Sequence, residues 1–243
     1  MRILYAAIVL GLSFIIAFWI AAGAFKYKFK TTETIIVTGL AEKDFVSDLI
    51  VWNGSYSRKA LDLKSAYAAV KLDESAIRQY LKGKGIADNE LVFSSVVINK
   101  EFDTKTDLNG RQTSQEFTGY NLTQTVTVQS SNVDKIDKIS REVTELIESG
   151  IEFNSQSPLF YNTKLAEVKM DLLAKASADA KLRAETIAKN AGNSLGDLRK
   201  ASMGVFQITG KNSNEDYSYG GAFNTSSKNK TGSITIKMEF AAE

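Results

Sequence analysis

The chain contains no cysteine, no histidine and a single proline. Without cysteine there is no disulfide framework, no thiolate nucleophile, no zinc-thiolate site and no iron-sulfur cluster. Histidine is the side chain that most often serves as general base or transition-metal ligand near neutral pH. Its absence disfavours most hydrolase and metalloenzyme mechanisms. We therefore expect a protein that is not an enzyme, with no catalytic residues, no metal and no cofactor.

The chain also lacks a large net charge, because 30 lysines and arginines face 28 aspartates and glutamates. So small an excess creates no long-range positive field that would concentrate nucleic acid around the protein. With 243 residues, of which 44% are hydrophobic, the chain can bury an ordinary core in one or two domains. We expect a folded protein that does not bind nucleic acid.

The N-terminal segment from Ile3 to Phe25 carries no charged residue. As a helix it would be roughly 35 Å long, which exceeds a hydrocarbon core of about 30 Å. Trp19 and Tyr27 suit the membrane interface near its far end, and lysines follow at positions 26, 28 and 30. The sequence predicts a signal anchor and tether in residues 1–30, which binds the lipid bilayer through residues 3–25, and a folded domain in 31–243.

Other interpretations of this segment stay open. Ala22, Gly23 and Ala24 form an A-x-A-like cleavage site, so a removed signal peptide is the main alternative, although the apolar run is longer than the usual ~7 to 15 residues. A buried core helix fits poorly, because the segment is apolar on every face. The lysines after the span outnumber the positive charges before it, so the positive-inside rule alone would leave the domain in the cytoplasm.

The rest of the chain mixes strand and helix patterns. Apolar positions recur with helical spacing over 62–81, from 133 to a stop at Gly150, and over 164–190. Two strand runs around a turn at Asn109 and Gly110 predict a long hairpin. Strands are predicted over 34–38, 45–56, 91–102, 117–129, 151–161, 198–209 and 233–240.

Three patterns indicate which faces are buried. In the run 117–129 apolar residues alternate with threonines, so one sheet face should meet water or another subunit. The buried stripe of the third helix is predicted to comprise Leu165, Val168, Leu172, Ala176, Ala180, Ile187 and Ala191. The last strand points Ile234, Ile236, Met238 and Phe240 to one side. We expect an α+β fold: an N-terminal transmembrane helix, then antiparallel sheet hairpins covered on one face by about three amphipathic helices.

Three segments carry a family resemblance. The first is the strand-glycine-charged-strand run from Ile36 to Lys43, which leads to Asp48; many family members have proline where this chain has Ser47. The second is the tyrosine-led strand from Gly119 to Val128. The third is an alanine-rich helix that ends in a glycine, with Ala176, Ala180, Lys181, Arg183, Ala184, Glu185, Ala188, Gly192, Leu195 and Gly196. In this order, over roughly Thr34 to Phe240, the chain resembles the SIMPL domain family of mostly bacterial envelope proteins.

The resemblance implies an exported domain able to form homo-oligomers, which are ring-like or channel-like in at least one member. Some members are linked to tolerance of oxidative stress, and the family supplies no catalytic residue to carry over. The expectation is a single-pass protein of the bacterial inner membrane with its domain in the periplasm, in a structural or stress-protective role. A cleaved form secreted to the periplasm is the alternative.

Several motifs have competing interpretations. Gly83, Lys84 and Gly85 suggest a phosphate loop, but they follow a helix and fit a helix stop better. A hydrolase that uses carboxylates, or a serine-lysine pair among Ser55, Ser57, Arg58 and Lys59, is an alternative. For the latter group, a solvated strand end is the better explanation. Asp103, Asp107 and Asn109 could supply calcium ligands, although a polar hairpin accounts for them. The basic residues Lys169, Lys175, Lys181, Arg183 and Lys189 suit a solvated helix face.

The polar tract 211–230 is the strongest candidate for a functional segment. It is long for a hairpin loop and carries Tyr217, Tyr219 and Phe223 among Gly, Asn and Ser residues. Aromatic side chains on such a loop can bind a partner or line a pore mouth, and a ligand-binding module is a further alternative. The competing interpretation is a disordered excursion that the fold tolerates.

Overall fold

The computed structural model describes residues 2–28, 34–106 and 112–242, and for the first helix it describes side chains over 11–25 only. The helices are α1 (Arg2–Lys28), α2 (Leu63–Gly83), α3 (Val133–Glu142) and α4 (Leu165–Asn190). The strands are β1 (Thr34–Val46), β2 (Leu49–Ala60), β3 (Leu91–Phe93), β4 (Val97–Thr106), β5 (Gln112–Ser130), β6 (Phe153–Ser155), β7 (Leu159–Tyr161), β8 (Leu195–Met203), β9 (Gln207–Gly210) and β10 (Asn229–Ala242). Short 3-10 helices span Asp88–Glu90 and Val143–Ser149.

The α+β class is confirmed: the described residues form two sheets with antiparallel pairing and four α-helices. The turn of the predicted hairpin, with Asp107, Asn109 and Gly110, lies outside the described residues. Within the described part of the chain, no helix is both long enough and apolar enough to cross a membrane. This finding gives the predicted transmembrane helix no support, and that helix stays a prediction from the sequence.

The chain divides into two compact units. The first unit comprises residues 1–40, 175–204 and 235–243, and the second comprises 41–174 and 205–234. In the second unit, β5 lies between β2 on one side and β3 and β4 on the other, and β6 and β7 pair with β2. The inward residues of β2 and β5 alternate with outward ones, and their buried side chains pack with those of α2 and α3 in one core.

Helix ends in the second unit follow local signals. Asp62 caps α2, because its carboxylate accepts a hydrogen bond from the Ser65 backbone N–H at 2.8 Å. Asn132 caps α3 in the same way, and Gly150, with φ of +72°, ends the 3-10 turn that follows α3. These boundaries agree with the predicted helices over 62–81 and from 133 to Gly150.

In the first unit, β1 packs directly on α4. A Cβ atom added to Gly39 would lie 2.2 Å from the Ala176 carbonyl oxygen, so only glycine permits this approach. The Leu40 backbone N–H donates to Asp179 at 2.9 Å on the same side. The buried face of α4 in this unit consists of small side chains, at Ala176, Ala180, Ala184 and Ala188.

Several predicted boundaries are wrong. The strand predicted over 34–38 does not stop at Gly39 but continues to Val46. The strand predicted over 45–56 starts later, because the chain leaves the sheet at Ser47 and Asp48. The runs 91–102, 151–161 and 198–209 each divide into two strands, and Pro158 lies in the gap between β6 and β7. Ile187 is exposed, and Ala184 and Ala188 are buried in its place.

Candidate functional site

The loop from Lys211 to Lys228 joins β9 to β10 and carries the predicted Tyr217, Tyr219 and Phe223. Its path is held by Gln207, which is buried in β9. The side-chain oxygen of Gln207 accepts hydrogen bonds from the Ser218 and Ala222 backbone N–H groups at 3.2 and 2.6 Å. The amide nitrogen of Gln207 donates to the Ser218 carbonyl at 2.9 Å. A single buried amide thus closes the loop on itself, and the loop has a defined conformation.

A second set of polar groups fixes the base of the loop. Glu215 accepts from the Gly210 backbone N–H at 2.9 Å and from the side-chain amide of Asn224. Lys230, only 2% exposed, donates from Nζ to the Asn224 carbonyl at 2.5 Å and to Asn224 Oδ1 at 3.1 Å. Burial lowers the pKa of Lys230 to about 8, against the attraction of Glu215.

The three aromatic residues predicted as a site all lie on the surface. Tyr219 is fully exposed, and Phe223 and Tyr217 are each more than half exposed. The Tyr217 hydroxyl accepts a hydrogen bond from Ser233 Oγ at 3.1 Å, which ties this ring back to β10. Among the described ring contacts none joins two of the three, so the structure places them on one loop without stacking them.

Gln207 and Lys230 belong to this site, and sequence reasoning missed both. The sequence contained a signal for Lys230. On the last strand it lies on the same face as Ile234, Ile236, Met238 and Phe240, whose side chains are buried. A lysine in phase with an inward-facing strand pattern indicates a buried amine. Gln207 gave no comparable signal, since its partners are backbone groups that lie 11 and 15 residues away.

The hairpin of β4 and β5 offers a different surface. From the Glu101–Gly119 pair to the Thr106–Gln112 pair, β5 pairs only with β4 among the described residues, and this two-stranded part is called the hairpin arm below. Phe102 and Phe117 lie across from each other in the arm, with ring centroids 5.7 Å apart, and Phe117 meets Tyr120 at 5.1 Å. Phe102 is half exposed and Phe117 is 39% exposed.

The groups named for a hydrolase are engaged elsewhere. Arg58 forms a bidentate pair with Asp73 at 2.6 and 2.8 Å and also donates to the Gly150 carbonyl. The hydrogen bonds that Arg58 donates to Asp73 raise the pKa of Arg58. Lys59 forms an ion pair with Glu101. The serines at positions 55 and 57 lie on the half-exposed face of β2, opposite the side that contacts the core.

A buried polar network adjoins the Arg58–Asp73 pair. The Tyr56 hydroxyl donates to Gln124 Oε1 at 2.8 Å, and Gln124 Nε2 donates to Glu74 at 3.1 Å and to the Ser94 carbonyl at 2.9 Å. Burial raises the pKa of Tyr56, and the charges of Glu74 and Asp73 raise it further. Burial also raises the pKa of Glu74, but hydrogen bonds from Lys71 and Gln124 outweigh it and lower the net value. Because each group has a partner inside the protein, the network can hold the sheet to α2.

The remaining motifs have structural partners. α2 ends at Gly83, Gly85 has a φ of +78°, and Lys84 pairs with Glu142 and Glu145 at 3.2 and 3.0 Å, so the glycine pair is a helix stop. Asp103 lies in β4 opposite Glu116. In the described residues, no group of three acidic side chains could hold a metal ion. On α4, Lys181 pairs with Glu185 and Arg183 with Asp179.

A family model matches residues 35–240, which is most of the chain, and its description is SIMPL, a protein of unknown function (DUF541). The chain belongs to the SIMPL family. No curated protein matches it. The SIMPL match begins just inside β1 and ends in β10, so it includes the loop from Lys211 to Lys228 and the hairpin arm, whereas α1 precedes it.

Proposed function

We propose that this chain is a membrane-anchored cell-envelope protein whose SIMPL domain works by self-association, without catalysis, in a structural or stress-protective role. The observation that carries the proposal is the hairpin arm. A two-stranded ribbon is marginally stable in water on its own. This one exposes aromatic rings, and the outer edge of β4 pairs with no other strand among the described residues. A second copy that covers the arm would pair its edge and bury its rings.

The polar face of the same sheet supports an assembly role. Thr123, Thr125 and Thr127 on β5 stand beside Ser57, Ser55 and Asn53 on β2, and all are only partly buried. This face is rich in hydroxyl and amide groups, which can bond equally well to water or to a matching face of another copy. Self-association would therefore account both for the exposed hairpin arm and for the polar face of the sheet formed by β2 and β5.

The anchor is proposed from the sequence and from the backbone of α1. The charge-free run from Ile3 to Phe25 lies inside this helix of 27 residues, and the described side chains at Phe18 and Trp19 are largely exposed. Exposed rings of that size are costly in water and favourable at a bilayer. The periplasmic placement of the domain follows from the resemblance to exported relatives and forms part of the proposal.

The assembly proposal is tested by the mass of the detergent-solubilised full chain at micromolar concentration, by mass photometry or sedimentation. We expect an oligomer for the wild-type chain. Phe102→Ser should shift the distribution toward monomer, because it removes an exposed ring of the arm. The matched control is Leu72→Ser on α2, which removes an even more exposed apolar side chain outside the arm. A wild-type chain that is strictly monomeric would refute the proposal.

A ligand-binding role for the loop from Lys211 to Lys228 is a second candidate, favoured by the position of Tyr219. This ring is fully exposed on a loop that Gln207 and Lys230 hold in place, so a partner could bind it at little cost in loop ordering. In that case Tyr219→Ala should abolish capture of the partner and leave the oligomer mass unchanged. The hydrolase alternative has less support, because Arg58 and Lys59 are already paired with carboxylates.

A further inference from the structure

The first unit carries an apolar groove between β1 and α4, which we call the tether-end groove. It is lined by Ile36, Val37 and Thr38 of β1 and by Leu182, Arg183, Thr186 and Ile187 of α4. Ile36 is 54% exposed, Leu182 62% and Ile187 48%. Isolated exposed apolar residues are ordinary, but three that line one groove form a continuous apolar surface, and such surfaces mark interaction sites.

The groove lies at the end of the unit where the chain arrives from α1. Gly39 of β1 packs against Ala176 and Ala180, while Ile36 shares the groove with Leu182 and Ile187. Residues nearer the N-terminal end of β1 therefore lie beside residues nearer the C-terminal end of α4. Ile187 lies nearest that end, beside the first residues of β1.

The length of the connection keeps the groove close to the proposed anchor. α1 ends at Lys28, and Ile36 is eight residues further along the chain. Eight residues span at most about 28 Å even when fully extended. If residues 3–25 cross a bilayer, the groove must lie near its surface on whichever side the domain occupies.

The charges near the groove favour an anionic surface. Between residues 175 and 190, α4 carries four basic side chains and two acidic ones, and the tether region adds lysines at positions 26, 28 and 30. Arg183 lines the groove itself, where its ion pair with Asp179 at 2.8 Å leaves the side chain about half exposed. Basic residues next to a membrane span are attracted to anionic phospholipid headgroups.

We propose that the tether-end groove rests on the bilayer, with Ile36, Leu182 and Ile187 at the boundary between headgroups and acyl chains and with Arg183 near lipid phosphate. The proposal depends on the proposed membrane anchor. A lipid surface is preferred to a second copy of the chain, because the tether holds the bilayer next to the groove at high effective concentration. An apolar helix face rimmed by basic residues is also the pattern of a helix that lies in the interface plane.

The absence of cysteine allows a direct test, because a single introduced cysteine is the only labelling site. The full chain carrying Ile187→Cys, Leu182→Cys or Ala178→Cys is labelled with an environment-sensitive fluorophore. Each variant is reconstituted at one chain per nanodisc, in phosphatidylcholine alone or mixed with phosphatidylglycerol. Ala178 is the matched control, since it is exposed on the same helix, outside the groove and farther from the tether end.

We expect nitroxide-labelled lipids to quench position 187 most strongly, position 182 less and position 178 least, with a steeper gradient when phosphatidylglycerol is present. Equal quenching at all three positions would overturn the lipid contact. If quenching by lipid is equal but the labels quench each other in a second preparation that holds two chains per disc, the groove binds a second copy and the proposal is also overturned. A chain that does not enter nanodiscs at all would instead refute the anchor, so the two failures are distinguishable.

Discussion

Lys230 lies with 2% of its surface exposed, and its ammonium donates only to oxygens of Asn224 among the described partners. Its pKa falls from the ordinary 10.5 to about 8 because burial disfavours the charged form. Between these two pH values the unfolded chain binds more protons at this site than the folded chain does. The free energy of unfolding should therefore rise as the pH increases from 8 to 10.5, by about 2 kcal/mol after allowance for solvent screening.

The measurement is chemical unfolding of the solubilised chain at several pH values, for the wild type and for Lys230→Met. Other groups titrate in the same range, so the informative quantity is the difference between the two proteins, which should grow in favour of the wild type as the pH rises. Lys228→Met is the matched control, because Lys228 pairs with Asp134 at the surface. An identical pH slope for wild type and Lys230→Met would contradict the account of a buried amine.

Asp73 is the second residue on which a prediction rests. Its side chain is 8% exposed and accepts two hydrogen bonds from the Arg58 guanidinium. Asp73→Asn keeps the size but leaves the cation without its counter-charge, and we expect a loss of about 2 to 4 kcal/mol in the free energy of unfolding. Asp137→Asn, which breaks an exposed pair with Arg141 on α3, should cost less than about 0.5 kcal/mol. Equal losses in both variants would disprove the structural role of the buried pair.

At the level of single residues, the sequence was a better guide to which side chains are exposed than to which polar side chains are buried. The aromatic residues of the loop were expected at the surface, and Tyr219 lies there. Glu74 is a charged residue on α2, and it accepts a hydrogen bond from Gln124. That partner lies 50 residues away, on a strand whose register only the folded sheet defines. Long-range polar pairs of this kind have no local pattern.

At the level of elements, the contact between β1 and α4 gives the sharpest test. A Cβ atom at Gly39 would lie 2.2 Å from the Ala176 oxygen and 2.5 Å from the Ala180 nitrogen. Both are backbone atoms inside a helix and cannot move aside, so Gly39→Ala should force β1 away from α4 and cost about 2 kcal/mol or more. The measurement is the midpoint of thermal unfolding.

Gly83→Ala is the control for this substitution. Gly83 is the last residue of α2. Apart from its chain neighbours and the backbone of its own helix, no atom lies within 4 Å of the position that its Cβ would occupy. Because alanine has the higher helix propensity, this variant should be neutral or stabilised by up to about 1 kcal/mol. If Gly39→Ala proved as harmless as Gly83→Ala, the close packing of β1 on α4 would be wrong.

The elements also show which structural features the sequence could specify. Helix ends were predicted well, because caps such as Asp62 and stops such as Gly150 act through neighbouring residues. Strand limits were predicted poorly, because they depend on distant partners. Gly39 looked like a breaker, yet it lies within β1, where a helix presses on the backbone. Ile187 fitted the apolar period of α4 but lies in the exposed groove, since alanines supply the packed face.

For the whole molecule, the proposed anchor would allow the domain to lie on either side of the membrane. Positive charge after the apolar run favours the cytoplasm, whereas the periplasmic side is proposed only from the resemblance to exported proteins. Ser226 gives a suitable reporter position, because it is exposed on the loop from Lys211 to Lys228. The chain has no cysteine of its own, so Ser226→Cys introduces a single reactive thiol.

We expect a membrane-impermeant maleimide that can pass the outer envelope to label Ser226→Cys in intact cells. The matched control is Ile3→Cys, at the other end of the apolar run, which should react only after the inner membrane is opened. The reverse pattern would place the domain in the cytoplasm and would show that the lysines after the span decide the topology. The same chain also carries an epitope added at its N-terminus. If Ser226→Cys is labelled in a chain that has lost this epitope, the chain has been cleaved after the A-x-A-like site. In that case both the proposed anchor and the proposed lipid contact of the tether-end groove are wrong.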